Sequence, residues 1–218
     1  MPKHLAITAT RKKEWAIKKN KDISEAISLS NSKIKELIDL QIKKDIPIMT
    51  IMISTNTSEE IEGARKLFSE LAENELVHEK KIRIYAVGNW YDEDGILVDS
   101  IKNMMEKTKD YDSYFLNFCV RYDGQEEILT AVKLLLKKAQ VDMLKINDLT
   151  VEQLKENIPT SNFISPELII ENNNRYSGLM QWDSKGSVIY FSEKFWLDFE
   201  KSDFEKALTF FTKLNAEH

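Results

Sequence analysis

Residues 166–171 read PELIIE and residues 187–192 read SVIYFS. The centre of each run is apolar and contains β-branched side chains, which is typical of a buried β-strand. Residues 172–174 (NNN) and 183–186 (DSKG) are turn formers, so the first run ends at a turn and the second begins after one. Both runs are therefore predicted to be strands.

The rest of the chain repeats this pattern, because apolar runs alternate with stretches of helical periodicity. Strands are predicted near residues 4–9, 47–55, 82–87, 114–121, 167–171 and 187–192. Helices are predicted near residues 22–44, 58–78, 96–108, 125–139, 150–156 and 203–214. Because strands that alternate with helices form βαβ units, we predict an α/β fold with a single, mostly parallel sheet of about six strands flanked by helices. The length of 218 residues fits one domain over residues 1–218.

Composition narrows the class of protein. The chain has 31 Lys and Arg against 36 Asp and Glu, a net charge of −5, so a broad basic face for nucleic acid is not expected. No stretch approaches the roughly 20 apolar residues of a membrane span, and no apolar leader opens the sequence, so we expect a soluble protein that is not secreted. The single Cys119 favours the reducing cytoplasm, and its apolar surroundings favour a buried thiol.

A basic run near the N-terminus is the local exception to this acidic balance. Its members are Arg11, Lys12, Lys13, Lys18, Lys19 and Lys21, relieved by Glu14 and Asp22. Two interpretations stay open: the solvated start of a helix, or a contact with an anion or with lipid headgroups. The second would place a cytoplasmic protein at the periphery of a membrane.

Several kinds of active site are disfavoured by the residues that are present. In an open parallel sheet ligands bind beyond the carboxyl ends of the strands, so functional loops are expected near residues 8–15, 54–58, 88–93, 121–126 and 171–178. The first of these loops has no glycine, so backbone N–H groups cannot converge on a phosphate as they do in a Walker or dinucleotide loop. The three histidines, His4, His78 and His218, are far apart in sequence and suggest neither a metal site nor a nucleophile triad.

Seven segments, taken in order, carry a family resemblance. They read HLAITATRKKEWA (4–16), ST (54–55), YDGQEEI (122–128), PELIIE (166–171), RYS (175–177), SVIYF (187–191) and WLDF (196–199). Their order and spacing resemble the cis-prenyltransferases, the undecaprenyl and dehydrodolichyl diphosphate synthases. That family's pattern includes Pro-Asp-Leu-Leu-Ile-Arg, an Arg-x-Ser and Trp-Pro-Asp-Phe. The resemblance covers most of the chain and implies the undecaprenyl diphosphate synthase fold.

The departures from this pattern fall on its chemical positions. In the family, an Asp of the first loop holds Mg²⁺ on the allylic diphosphate and glycines cradle it, whereas this chain has TRKK at residues 10–13. The first arginine of the second diphosphate site is replaced by Glu171, while Arg175 and Ser177 remain as an Arg-x-Ser pair. The resemblance thus implies no catalytic residue and no metal site in this chain, with Arg175 and Ser177 as a vestigial diphosphate site. Alternatively, Arg175 pairs with a carboxylate at a helix end.

The same resemblance implies a role for such a chain. Eukaryotic dehydrodolichyl diphosphate synthases pair a catalytic subunit with a second subunit of the Nogo-B receptor type, which keeps the fold without the active site. We therefore predict a non-catalytic accessory subunit of a heteromeric cis-prenyltransferase, in a heterodimer or heterotetramer. Mg²⁺ is expected in the catalytic partner, and no cofactor is expected in this chain. Residues 212–218 lack the Arg-x-Gly with which those second subunits end, so a structural role is favoured.

Two alternative functions stay open. One is an active cis-prenyltransferase in which Arg11, Lys12, Lys13 and Arg175 replace Mg²⁺ as counter-charges of the diphosphate. The other is a homodimer that binds a prenyl lipid between the sheet and the helices near residues 58–78 and 96–108. There the lipid would face Leu67, Phe68, Leu71, Met104 and Met105, unless these side chains are ordinary core.

The interface with a partner is predicted from aromatic side chains near the C-terminus. The family dimerises through its C-terminal strands and helices, and aromatic area is typical of a stable interface. The candidates are Tyr190, Phe191, Phe195, Trp196 and Phe199. For each of them a place in the core of the chain itself is the alternative.

Overall fold

The computed structural model describes residues 1–92, 95–141 and 145–216. Its strands are β1 (His4–Ala9), β2 (Ile48–Ile53), β3 (Ile82–Val87), β4 (Tyr114–Val120), β5 (Leu168–Glu171) and β6 (Val188–Phe191). Its α-helices are α1 (Lys12–Lys19), α2 (Ile23–Lys43), α3 (Ser58–Ala72), α4 (Glu75–Glu79), α5 (Gly95–Thr108), α6 (Gly124–Gln140), α7 (Val151–Glu156) and α8 (Lys201–Ala216). Within the described ranges no helix is long and apolar enough to span a bilayer.

The six strands form one sheet in the order β3-β4-β2-β1-β5-β6, and every neighbouring pair is parallel. β1 and β2 pair along their whole length, from His4 opposite Ile48 to Ala9 opposite Ile53. The chain first leaves β1 toward β2 and later returns to place β5 on the other side of β1. The carboxyl end of β1 is therefore a topological switch point, where ligands bind in folds of this kind. The predicted α/β fold with a parallel sheet of six strands is confirmed.

The two faces of the sheet are packed differently. Side chains alternate along a strand, so Leu5 and Ile7 belong to a large core built with α2, α3, α5 and α8, whereas Ala6 belongs to a smaller cluster. Cys119 lies in that smaller cluster and is completely buried. Burial raises the pKa of its thiol, as expected for an unreactive cysteine.

The large core includes the side chains that we considered as walls of a prenyl-lipid tunnel. Leu67, Phe68, Leu71 and Met104 are buried in it, and Met105 packs against it. The ring of Phe68 contacts that of Phe118 edge to face, with centroids 5.2 Å apart. These are the contacts of ordinary core, which is the alternative interpretation of this set.

Two helical segments differ from the prediction, each for a local reason. The segment predicted as one helix over residues 58–78 is two, because Asn74 is non-helical and its side chain accepts a hydrogen bond from the Val77 amide at 3.2 Å, which starts α4. The helix α1 is absent from the prediction. Four of its eight residues are lysines, and of its apolar side chains only Trp15 and Ala16 are buried, so its periodicity in the sequence is weak.

Candidate functional site

The loop after β1 consists of Thr10 and Arg11, and α1 begins immediately after it. Arg11 has a φ of 64°, the left-handed region that glycine favours and that costs other residues roughly 1–2 kcal/mol. Its guanidinium lies over the Phe195 ring, 4.6 Å from the ring centroid, and its Nε lies 3.8 Å from the Glu14 carboxylate. Side-chain contacts thus hold Arg11 in a turn that a glycine would make without strain.

Lys12 is the one member of the basic run that points into the protein. Its side chain is 6% exposed, and its Nζ donates hydrogen bonds to Ser54 Oγ at 2.9 Å and to the Ser54 carbonyl at 3.3 Å. The Glu60 carboxylate lies 3.5 Å from the same nitrogen. Burial lowers the pKa of Lys12, and the nearby carboxylate of Glu60 acts in the opposite direction. The ammonium group therefore ties the loop after β1 to the loop after β2.

Glu60 completes this arrangement from the first turn of α3. Its Oε1 accepts a hydrogen bond from Ser54 Oγ at 2.7 Å, and its Oε2 accepts one from the Asn56 amide at 2.9 Å. The sequence analysis missed Glu60. The available signal was its place three residues after Thr57, the N-cap of α3, where a carboxylate faces back toward its own helix start. We call Lys12, Ser54 and Glu60 the lysine clamp.

A cavity of about 480 Å³ opens beside the lysine clamp, at the carboxyl ends of β1 and β2. Three cationic residues, Arg11, Lys13 and Arg121, line it together with polar residues of the loop after β2. Thr55 also lines it. Its hydroxyl is buried and, among the described residues, has no hydrogen-bond partner. Two carboxylates, Glu14 and Glu60, line it as well, so the cationic side chains outnumber the anionic ones by one. Its described lining residues include no glycine that could form a phosphate cradle.

The predicted diphosphate pair, Arg175 and Ser177, lies in the segment after β5. Ser177 donates two hydrogen bonds to Glu171 Oε1, from its amide at 2.9 Å and from its hydroxyl at 2.8 Å. Glu171 is fully buried, and burial raises the pKa of its carboxyl group. The carboxylate of the chain itself thus takes the Ser177 donors that an anionic ligand would need.

Arg175 is exposed to solvent in this arrangement. No ion pair within the described ranges includes it, so it does not pair with a carboxylate at a helix end as the alternative interpretation proposed. The assignment of Arg175 and Ser177 to substrate binding stays a prediction.

The five aromatic residues predicted at an interface divide into two groups. Trp196 and Phe199 are 1% and 4% exposed, and the Trp196 indole donates to Ser30 Oγ at 2.9 Å, so both are core within the chain and have no surface to offer a partner. Tyr190 and Phe195 are half-buried against the core. Phe191 is 46% exposed on the edge strand β6. For Tyr190, Phe191 and Phe195 the interface stays a prediction.

An apolar surface that the sequence analysis missed lies on α6. Leu129, Val132 and Leu136 are 42%, 37% and 51% exposed, and their spacing of three and four residues puts them on one side of the helix. We call these three residues the α6 stripe. The signal was the apolar excess of residues 128–136, which exceeds what one buried helix face needs. A Cβ at Gly124, where α6 begins, would lie 2.5 Å from the Gly178 carbonyl oxygen, so α6 starts beside the segment that leads into β6.

Potential metal ligands are dispersed. Across residues 1–92, 95–141 and 145–216, no three His, Cys, Asp or Glu side chains are grouped so as to hold a metal ion. His4 is buried, with one ring nitrogen 2.6 Å from the Ile164 carbonyl and the other 2.8 Å from Thr50 Oγ1. Burial lowers its pKa to about 4. His78 lies in α4, and His218 lies outside the described residues.

A family model described as "Putative undecaprenyl diphosphate synthase" matches residues 12–217. The chain belongs to the undecaprenyl diphosphate synthase family. A tritrans,polycis-undecaprenyl-diphosphate synthase (geranylgeranyl-diphosphate specific) of Thermoplasma acidophilum is 28% identical over 95% of this chain and 84% of the relative. An isoprenyl transferase of Prochlorococcus marinus is 28% identical over 95% of this chain and 80% of the relative.

Solved structures of the undecaprenyl diphosphate synthase fold also match. The lavandulyl diphosphate synthase from Lavandula x intermedia, in complex with dimethylallyl diphosphate, superimposes with a TM-score of 0.86 at 21% identity, over 96% of this chain and 94% of that chain. A probable undecaprenyl diphosphate synthase from Campylobacter jejuni gives 0.71 at 20% identity, over 96% and 94%. The resemblance to cis-prenyltransferases is confirmed. The relatives named here are synthases or transferases, so kinship with a non-catalytic subunit stays a prediction.

Proposed function

We propose that this chain is a non-catalytic subunit that acts with a catalytic cis-prenyltransferase in making a polyprenyl diphosphate carrier lipid. The observation that carries the proposal is the lysine clamp. At the switch point of the sheet, Thr10 stands where the family pattern has a magnesium-binding carboxylate, and the buried ammonium group of Lys12, two residues later, is fixed by Ser54 and Glu60. The loop is thereby held in place by the chain itself.

The residues at this point do not fit Mg²⁺, the metal that the family implies. Magnesium prefers an octahedral set of carboxylate, phosphate and water oxygens. Thr10 supplies no charge, and both carboxylate oxygens of Glu60 already accept hydrogen bonds, from Ser54 and from the Asn56 amide. The other carboxylate that lines the cavity, Glu14, lies 3.8 Å from the Arg11 guanidinium. We derive no catalytic step through a metal in this chain, and the magnesium site of the complex is assigned to the partner.

Two exposed surfaces support an association with a partner. The edge strand β6 exposes Phe191, and α6 exposes the α6 stripe. Exposed leucine and phenylalanine side chains suit the apolar centre of a stable interface. We assign the contact with the catalytic subunit to these two surfaces.

An active synthase with altered diphosphate handling is the second candidate. The names of the relatives favour it, and so does the cavity beside the lysine clamp, because Arg11, Lys13, Arg121 and the hydroxyl of Thr55 suit an anionic group. In this candidate the cationic side chains alone would offset the charge of the leaving diphosphate. The prenyl-lipid-binding homodimer is less well supported, since its proposed lining is packed core.

Radiolabelled isopentenyl diphosphate separates the two candidates. The purified chain, incubated with geranylgeranyl diphosphate and Mg²⁺, is expected to give no elongated product, whereas a mixture with the catalytic homologue of the same host should exceed the activity of that homologue alone. Elongated product from the chain by itself, lost on Lys13→Ala, would establish the active synthase. If the added chain changes neither the activity nor the elution volume of the homologue, the subunit proposal is refuted.

We also propose that the chain meets membranes only at their periphery, through the outward side of α1. Ile17 is 72% exposed, and within α1 it lies one helical turn after Lys13. An apolar tip among lysines suits the headgroup region of an anionic bilayer. Sedimentation with phosphatidylglycerol vesicles but not with phosphatidylcholine vesicles, weakened by Ile17→Ser, is the expected result; equal sedimentation with both would contradict it.

A further inference from the structure

The charge of the lysine clamp has a consequence for metal binding that holds for either candidate function. The ammonium group of Lys12 is held by two residues that line the cavity: its Nζ lies 2.9 Å from Ser54 Oγ and 3.5 Å from Glu60 Oε1. The side chains of Lys12 and Glu60 are 6% and 5% exposed, so water screens the pair little. Burial lowers the pKa of Lys12, and the contact with Glu60 acts against this by favouring the charged form.

A divalent ion at the same place would meet two obstacles. The first is repulsion by the ammonium group, which is strong where water is excluded. The second is competition for Glu60, the carboxylate that the ammonium needs as its partner. A buried charge that loses its partner is costly, so a metal ion that took Glu60 would leave Lys12 without compensation.

We propose that Lys12 is a built-in cation that stands in place of a divalent metal, so that the pocket at the carboxyl ends of β1 and β2 is independent of metal. The clamp joins the first turn of α1 to the first turn of α3 through the loop after β2. A metal ion bound between a ligand and the protein could order the loops after β1 and β2. In this chain the side chain of Lys12 orders them instead. The proposal rests on the same clamp as the proposed function but is tested by different measurements.

Manganese provides the direct test, because Mn²⁺ substitutes for Mg²⁺ and its electron paramagnetic resonance signal reports binding. We expect that adding the full chain does not reduce the signal of free Mn²⁺ through binding at this pocket. Binding of one Mn²⁺ per chain that is abolished by Glu60→Gln or by Glu14→Gln, the two carboxylates that line the pocket, would overturn the proposal. Binding that survives both substitutions lies elsewhere and agrees with it.

Calorimetry with inorganic diphosphate tests whether anion binding needs a metal ion. The affinity of the chain for diphosphate should be no higher in Mg²⁺ than in EDTA, since no metal bridge forms between the anion and the protein. Diphosphate binding that appears only with Mg²⁺ and disappears in Glu60→Gln would overturn the proposal. Neither result depends on whether a partner subunit binds, so failure here is distinguishable from failure of the subunit role.

Thermal unfolding tests whether the ammonium is built in. Lys12→Met leaves Glu60 buried without its cation and is expected to lower Tm by roughly 6–12 °C, whereas the matched control Lys13→Met, at an exposed neighbouring lysine, should change it by less than about 2 °C. The double variant Lys12→Met/Glu60→Gln should recover part of the loss. If Lys12→Met does not fold, Glu60→Gln alone must show the drop. A Tm within about 2 °C of wild type for both single variants would refute the clamp.

Discussion

At the scale of single residues, the site is organised by charges that the chain supplies to itself. Lys12 is a buried cation held by Ser54 and Glu60, and Glu171 is a buried carboxyl group held by Ser177. Buried polar groups of this kind are stable only with partners in place, so each one fixes the loop that carries its partner. The loops after β1, β2 and β5 are therefore ordered by contacts within the protein.

His4 predicts a pH dependence of stability. Burial lowers its pKa to about 4, below the value near 6.5 of an unfolded chain, so the unfolded state takes up the proton first. Its contribution is complete above pH 6.5 and is lost as the pH falls toward 4. Between pH 7 and pH 4.5 we expect about 2 kcal/mol of stability to be lost through this residue, as measured by urea unfolding.

The control for this prediction is the variant His4→Gln, which should flatten the pH dependence by that amount. The same decrease in wild type and His4→Gln would show that other groups dominate the acid response.

The sequence shows which residues depart from the family pattern but not what replaces the lost interactions. Comparison of TRKK at residues 10–13 with the family pattern shows that an Asp and the glycines are lost. The contact from Lys12 to Glu60 spans 48 positions and depends on how α1 and α3 are placed over β1 and β2, which no local pattern encodes. Glu171 and Ser177 are close in sequence, yet whether a loop turns them toward each other is a property of its backbone.

At the scale of elements, the strands were the most predictable part, because each is a short apolar run bounded by polar turns. Every predicted strand overlaps an observed one, and β1 and β3 agree at both ends. Helices were harder to predict where an N-cap residue sets a boundary or where most side chains of the helix are exposed. Asn74 divides one predicted helix in two, and the four lysines of α1 leave it too few apolar residues for a clear helical periodicity.

The contact between α2 and α3 depends on Gly63. A Cβ at this position would lie 2.2 Å from Ile27 Cγ2, so Gly63→Ala is expected to destabilise the chain by about 1–3 kcal/mol through overpacking. Gly95→Ala is the matched control, since a Cβ at Gly95 meets nothing within 4 Å, and it should stay within about 0.5 kcal/mol. Denaturant unfolding measures both. An Ile27→Ala background should reduce the cost of Gly63→Ala, and equal costs in both backgrounds would contradict the close approach.

At the scale of the whole molecule, the sheet has one large apolar core and one small cluster, and the exposed apolar residues of α6 remain outside both. The buried aromatic residues that the sequence suggested for assembly, Trp196 and Phe199, serve the large core instead. Burial cannot be read from an aromatic pattern, because a side chain that fills a core and one that fills an interface have the same composition. The proposed contact with a partner therefore rests on β6 and on the α6 stripe.

Substitutions on α6 test this assignment. Leu136→Asp is expected to weaken the complex with the catalytic homologue by on the order of 2 kcal/mol, about 30-fold in Kd, without lowering the Tm of the isolated chain. Leu134→Asp is the control, because Leu134 is equally exposed but lies nearly opposite the stripe around the helix. Analytical ultracentrifugation or surface plasmon resonance gives the affinities. Equal effects of the two substitutions would exclude the α6 stripe from the interface.

The completely buried thiol of Cys119 lies on β4, between β2 and β3, in the interior of the sheet. A thiol-specific reagent can reach it only when the centre of the sheet opens, and the chain has no other cysteine to compete for the reagent. The rate at which Cys119 is labelled in dilute denaturant therefore reports how often the sheet opens, without any engineered probe. A partner that binds the folded chain would slow this labelling in proportion to its affinity.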